Sequence, residues 1–161
     1  MSSTIFIFDI DGTLVDTRVA LRDAYIAAGV DPSLIAEFCG KSPWKAWCTQ
    51  EIHDKKTALY RSALLKYGKR GPAYPLLKYV KSIGVEVAAL TGASASAVAE
   101  LVITGLLDDD ITVLGTECTI MRKRDVLYEL GDHHDHVFYV DDNPGDIRPV
   151  LHHPKVTLLG V

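Results

Sequence analysis

Asp9 and Asp11 stand two residues apart in the stretch "IFIFDIDGTLVD", directly after a run, Ile5 to Phe8, that is apolar at every position. A carboxylate pair at the edge of a core is costly. At 4 Å two unit charges repel by roughly 4 kcal/mol at an effective dielectric near 20. A second pair, Asp141 and Asp142, closes the apolar run "HVFYV", and Asp146 follows four residues later. Thr91 and Gly92 close a third run, "VEVAAL". So much acid on one rim calls for a cation, and all-oxygen ligands select a hard one such as Mg2+ with substrate phosphate. With that ion present a carboxylate can attack a phosphoryl group and carry it as an aspartyl-phosphate. Gly12 lets the chain turn and bring backbone N–H groups near a phosphate. Thr91 offers a hydroxyl, and Ser94 could cap a helix facing the same anion. Lys123, in "MRKRD", offers a cation beside a helix start. Each piece has a plainer reading: a surface turn for DxDG, a turn for Thr91-Gly92, a loop with Asp146 as N-cap, a solvated face for Arg122 to Arg124. It is the coincidence of four pieces in order that favours chemistry.

The elements that must position these groups are readable from apolar periodicity. "TIFIFDI", "VEVAAL", "HVFYVD" and "KVTLLG" read as strands buried on both faces, with a weaker one, "ITVLG", from Ile111. Helical patterns lie between them in "PLLKYVKSIG", "SASAVAELVITGLL", "RDVLYELG" and "DIRPVLHH", with Gly84 and Gly131 at expected C-caps. Strand alternating with helix predicts an α/β, Rossmann-like parallel sheet sandwiched by helices. In such sheets ligands gather outside the carboxyl ends of the strands. From Asp16 to Gly71 the alternation stops and only helices are expected. The organisation read here is an α/β core over 1–15 and 72–161, with a small all-helical insertion over 16–71.

Composition narrows the class. The chain has 161 residues, 48% hydrophobic and 24% charged, enough for one core and a small appendage. A net charge of −4 disfavours a generic nucleic-acid or membrane-surface binder. Cys39, Cys48 and Cys118 are scattered and read as reduced thiols. The sequence carries no signal-peptide pattern and no run of about 18 apolar residues, so a cytoplasmic location is expected. Between 41 and 70 there are eight Lys and Arg against Glu51 and Asp54. A basic lid over an anionic substrate accounts for that, and so do lysines on outward helix faces. "GDHHDH", at 131–136, precedes a strand and belongs to the opposite rim.

The motifs together resemble the haloacid dehalogenase superfamily of aspartate-nucleophile phosphohydrolases. The first, DxDGT(L/V), is matched by Asp9 to Val15. The second is matched at Thr91, and the fourth at Asp141, Asp142 and Asp146. The third is a lysine near a helix start, for which Lys123 is taken although Arg124 replaces the usual proline. The resemblance implies that Asp9 is the nucleophile and a Mg2+ ligand, and that Asp11 is the acid and base with its carbonyl on the metal. Asp142 and Asp141 would be further metal ligands. Thr91 and Lys123, with Gly12 and Gly92, would hold the phosphate, and Asp146 would orient Lys123 or reach the metal through water. The insertion lies where this superfamily places a C1 cap of the phosphoglycolate phosphatase-like branch, and "GKSPW" would make Lys41 and Ser42 substrate contacts. The expected partner is a small phosphorylated substrate. A phosphomutase, a polynucleotide 3′-phosphatase and a non-catalytic Mg2+- or phosphate-binding module remain as alternatives, so a nucleic-acid end is not excluded. Oligomeric state is not legible.

Overall fold

Each apolar run becomes a strand, and helices formed from the amphipathic segments cover the sheet. The computed structural model describes residues 3–35 and 47–161. In chain order the elements are β1 (Thr4–Phe8), β2 (Val15–Asp16), α1 (Arg18–Ala27), α2 (Gln50–Tyr67), β3 (Lys69–Arg70) and α3 (Tyr74–Ser82). There follow β4 (Glu86–Leu90), α4 (Ala95–Ile103), β5 (Thr112–Gly115), α5 (Ile120–His133), β6 (His136–Asp141) and β7 (Val156–Gly160). Five strands form one sheet in the order β5-β4-β1-β6-β7. Every pairing in it is parallel, as expected for strands with no polar face.

β1 is the centre. After it the chain builds outward on one side through β4 and β5, then returns to lay β6 and β7 on the other. That reversal is a topological switch point, and it opens a crevice outside the carboxyl end of β1. Alternation along β1 divides the core. Phe8 and Ile10 pack with Leu77 of α3 and Leu101 of α4. Ile5 and Ile7 pack with Leu127 of α5 and Tyr139 of β6. Ile7, Phe8, Leu77, Leu127 and Tyr139 are wholly buried, each worth roughly 1.5–3 kcal/mol for the large apolar side chains.

Local signals explain most helix ends. Thr49, Ser94 and Thr119 cap α2, α4 and α5 by accepting the backbone N–H groups of Ile52, Ala97 and Arg122. α3 has proline in its first turn and ends before Gly84, whose φ of +74° suits only a residue without Cβ.

Four details depart from the sequence reading. The segment 16–71 is not purely helical, because β2 and β3 pair antiparallel at its two ends, Val15 with Arg70 and Asp16 with Lys69. Two-residue strands are too short to leave a periodicity. "DIRPVLHH" forms no α-helix but two 3-10 turns, Pro144–Asp146 and Arg148–Val150, since Pro149 cannot donate into a helical ladder. His152 and His153 therefore do not close a helix. Gly131 lies inside α5 rather than at its end, buried where a Cβ would collide with the His153 ring. Finally α5 begins at Ile120, so Lys123 sits inside its first turn and not before it. The "GKSP" turn, with Lys41 and Ser42, lies outside the described residues. Among the described residues no helix is long and apolar enough to cross a membrane.

Candidate active site

Asp9 continues the line of β1, donating its N–H to the Val140 carbonyl at 2.9 Å. Its side chain falls on the face of Ile5 and Ile7, the face that α5 covers. Leu127 of α5 packs there, so Lys123, one helical turn earlier, comes beneath Asp9. Its Nζ donates to Asp9 Oδ1 at 2.9 Å and to the Tyr139 hydroxyl at 3.1 Å. Both charged partners are buried. Arg122 and Arg124 flank this lysine but do not share its place; Arg124 turns to Asp125 at 2.7 Å.

The chain then turns on Ile10, whose carbonyl accepts from Thr13, Leu14 and Val15. Gly12 makes the turn possible with φ +81°, and a Cβ there would strike the Asp142 carboxylate. Thr13 ties the two acidic loops together: its hydroxyl donates to Asp142 Oδ1 at 3.2 Å and accepts the Asp142 N–H at 3.0 Å. Asp11 lies on the far side of the turn and accepts from the Thr17 hydroxyl at 2.8 Å.

β6 ends in Asp141, which is buried, and Asp142, the next residue, is exposed. Asp141 accepts from the Asn143 N–H at 2.9 Å and from the Tyr139 hydroxyl. Asp9, Asp141 and Asp142 each offer a carboxylate oxygen within 4.8 Å of the others, the one such acidic group among the described residues. Asp11 and Asp146 stand outside that triad. Asp146 is exposed and accepts from the Asn143 side chain; it is the last residue of a 3-10 turn rather than an N-cap.

Thr91, at the end of β4, is buried and accepts the Ala93 N–H at 3.0 Å through its hydroxyl. Its carbonyl receives Cys118 N–H at 3.0 Å, which pins this loop to the one before α5. Gly92 packs beside the Cys118 carbonyl, which a Cβ there would meet at 3.4 Å, an ordinary contact distance.

Charge and burial set the protonation states. Burial pushes Asp9 up to about 6, with Asp141 and Asp11 adding to the rise and Lys123 opposing it. Burial likewise raises Asp11, against the Thr17 hydrogen bond. Burial and the neighbouring Asp141 raise Asp142. Burial and mutual repulsion thus raise the proton affinity of Asp9, Asp11 and Asp142 together.

No family model and no curated relative matches the sequence. Solved structures do match. A hydrolase from Pseudomonas syringae superposes with a TM-score of 0.64 at 19% identity, over 99% of this chain and 83% of its own. A haloacid dehalogenase-like family hydrolase from Streptococcus pneumoniae gives 0.58 at 15% identity, over 98% and 84%. One from Deinococcus radiodurans, with bound phosphate and sodium, gives 0.59 at 15% identity, over 99% and 80%. The chain has the haloacid dehalogenase fold. In that fold's terms Asp9, Asp11, Thr91, Asp141 and Asp142 stand at the carboxyl ends of strands or in the loops that follow them, and Lys123 reaches Asp9 from the first turn of α5.

Sequence reading missed four residues that complete the site. Thr13 and Thr17 each hold an acid, yet a threonine in a turn carries no signal of that. Tyr139 looked like one more apolar strand residue, but its hydroxyl joins Lys123 to Asp141. Tyr60, on α2, is buried and bonded to Thr17.

Proposed function

We propose that this chain is a Mg2+-dependent phosphatase that hydrolyses a small phosphomonoester through an aspartyl-phosphate on Asp9. The observation that carries the proposal is the buried lysine 2.9 Å from Asp9, with two more acids within 4.8 Å. The donor set fits Mg2+: Asp9, Asp141 and Asp142 supply oxygen alone, and a divalent charge would offset the repulsion that raises Asp9 and Asp142. When bound, the ion would neutralise phosphoryl oxygens and hold a phosphate against Asp9.

The chain's own residues account for the rest. An Asp9 oxygen attacks phosphorus, the bond from phosphorus to the leaving oxygen breaks, and the Asp11 carboxyl gives that oxygen its proton. Asp11, now a carboxylate, takes a proton from water as the water oxygen attacks phosphorus. The bond to Asp9 breaks, releasing inorganic phosphate. The raised affinity of Asp11 for its proton suits an acid of this kind. Lys123 and Thr91, with the backbone at Gly12 and Gly92, would hold phosphoryl oxygens. Asp146, through Asn143, would steady the loop carrying Asp142. We assign residues 16–71 to a cap that excludes water during chemistry, with Lys41 and Ser42 as candidate substrate contacts. The phosphate bound to the Deinococcus radiodurans hydrolase supports the assignment of ligand class.

Phosphate release from p-nitrophenyl phosphate, with Mg2+ or with EDTA, tests this. Turnover that requires the metal and vanishes in Asp9→Asn is expected. Turnover indifferent to both would refute it.

A further inference from the structure

Between α2 and the start of α4 lies a small cavity whose lining includes His53, Lys56, Tyr60, Ser94, Ser96 and Glu100. Its floor is the loop and cap that follow Thr91, and its roof is the helical insertion. Two of its lining groups carry full charge. The Glu100 carboxylate is already held by the Arg61 guanidinium at 2.7 and 3.0 Å. Lys56 is not neutralised in that way. Among the described residues no carboxylate lies within 4.0 Å of its Nζ. The ammonium stands 5.5 Å from the ring centres of both Tyr25 and Tyr60, which fix it by cation–π attraction and shield it from water.

Lys56 also connects to the acid of the proposed reaction. It lies one helical turn before Tyr60 on α2; Tyr60 bonds to Thr17, and Thr17 donates to Asp11 at 2.8 Å. Burial disfavours the charged form of Lys56; the Cys48 thiol and then Asp11 oppose that, and Lys56 in turn favours ionised Asp11. A half-buried cation held between two rings, facing a cavity and a short step from the leaving-group acid, is placed to meet an anion on the leaving group.

We infer that Lys56 is a specificity-determining residue, and that the substrate carries a second anionic group, a carboxylate or a second phosphate, on the part that leaves. The inference builds on the phosphatase reading, because that reading makes the Asp11 side of the site the leaving-group side. It replaces "small phosphomonoester" with a narrower class. Phosphomonoesters of the same size with an uncharged leaving group would forgo one charge-assisted contact, worth about tenfold or more in affinity.

Binding, which needs no turnover, separates this inference from the phosphatase reading. In the Asp9→Asn chain with Mg2+, calorimetry compares 3-phosphoglycerate with glycerol 3-phosphate, and propane-1,3-diyl bisphosphate with propyl phosphate. With Lys56 in place, the member of at least one pair that carries a second anionic group should bind about tenfold tighter, and the pair showing it names the second anion. Lys56→Met keeps the apolar stem and should bring that pair within about twofold, leaving the neutral-tailed ligand unchanged. Lys56→Arg should retain the preference. Equal affinities in both pairs with Lys56 present overturn the inference. So does an equal loss of both members in Lys56→Met, which would make Lys56 a support for Asp11 or for the cap alone. Hydrolysis of p-nitrophenyl phosphate by the unmutated chain reports separately on the phosphatase reading.

Discussion

Lys123→Met removes the cation that offsets the burial of Asp9, and its cost should depend on pH in a calculable way. At 2.9 Å and an effective dielectric near 20 the pair attracts by about 6 kcal/mol, the equivalent of roughly four pH units. Side-chain exposures of 8% and 12% leave little solvent to screen it. Asp9 already titrates near 6 with Lys123 present, above its ordinary 3.8. Without Lys123 it should stay protonated beyond pH 8. A group whose folded pKa is raised loses stability as pH climbs from its unfolded to its folded value. At pH 5 Asp9 is mostly protonated in both proteins, so the substitution costs only the lost packing and the Tyr139 contact. By pH 8 the parent has stopped losing stability near pH 6 while the variant has continued for two more units, about 3 kcal/mol further. Urea unfolding of both proteins in EDTA at pH 5 and pH 8 measures this difference of differences. A penalty that is the same at both pH values would refute the ion pair as described.

Two other substitutions probe the neighbouring acids. Thr17→Val removes the hydroxyl that favours ionised Asp11, so Asp11 should hold its proton to higher pH. The alkaline limb of kcat/KM should move up by about one unit, and an unmoved profile would detach Thr17 from Asp11. Gly12→Ala forces a Cβ into a left-handed residue and against Asp142, costing about 1–2 kcal/mol of stability. It should also raise the Mg2+ concentration needed for half-maximal activity by about tenfold; thermal melts and a metal titration check both, and an unaltered metal requirement would separate Gly12 from the acid cluster.

Much of this arrangement was legible because it rests on patterns with long reach. Apolar runs that end in acid or threonine mark β1, β4 and β6, and a parallel sheet brings such ends to one rim whatever the loops do. That is why Asp9, Asp141 and Asp142 fall together, and why Thr91 stands nearby. Lys123 could be picked from Arg122 and Arg124 only by helical phase, which depends on where α5 begins; the Thr119 cap sets that start at Ile120, four residues earlier than the apolar pattern suggests. Short features left no periodic trace. The β2–β3 ribbon is two residues long on each side, and the turns at Pro144–Asp146 and Arg148–Val150 borrow the spacing of a helix that Pro149 forbids. Gly131 reads as a helix end in sequence, yet its reason is the His153 ring, twenty-two residues away. Thr13, Thr17, Tyr60, Tyr139 and Lys56 work through contacts between distant segments, and nothing in their immediate neighbours announces those contacts.

The most direct test of the central claim is a single-turnover reaction with excess enzyme, Mg2+ and a phosphomonoester that the enzyme turns over, quenched in acid and read by peptide mass spectrometry. A phosphoryl group on Asp9 that forms and decays within the turnover, and is absent in Asp9→Asn, is the predicted result. Phosphate released at full rate by Asp9→Asn, with no adduct on Asp9 at any time, would contradict it.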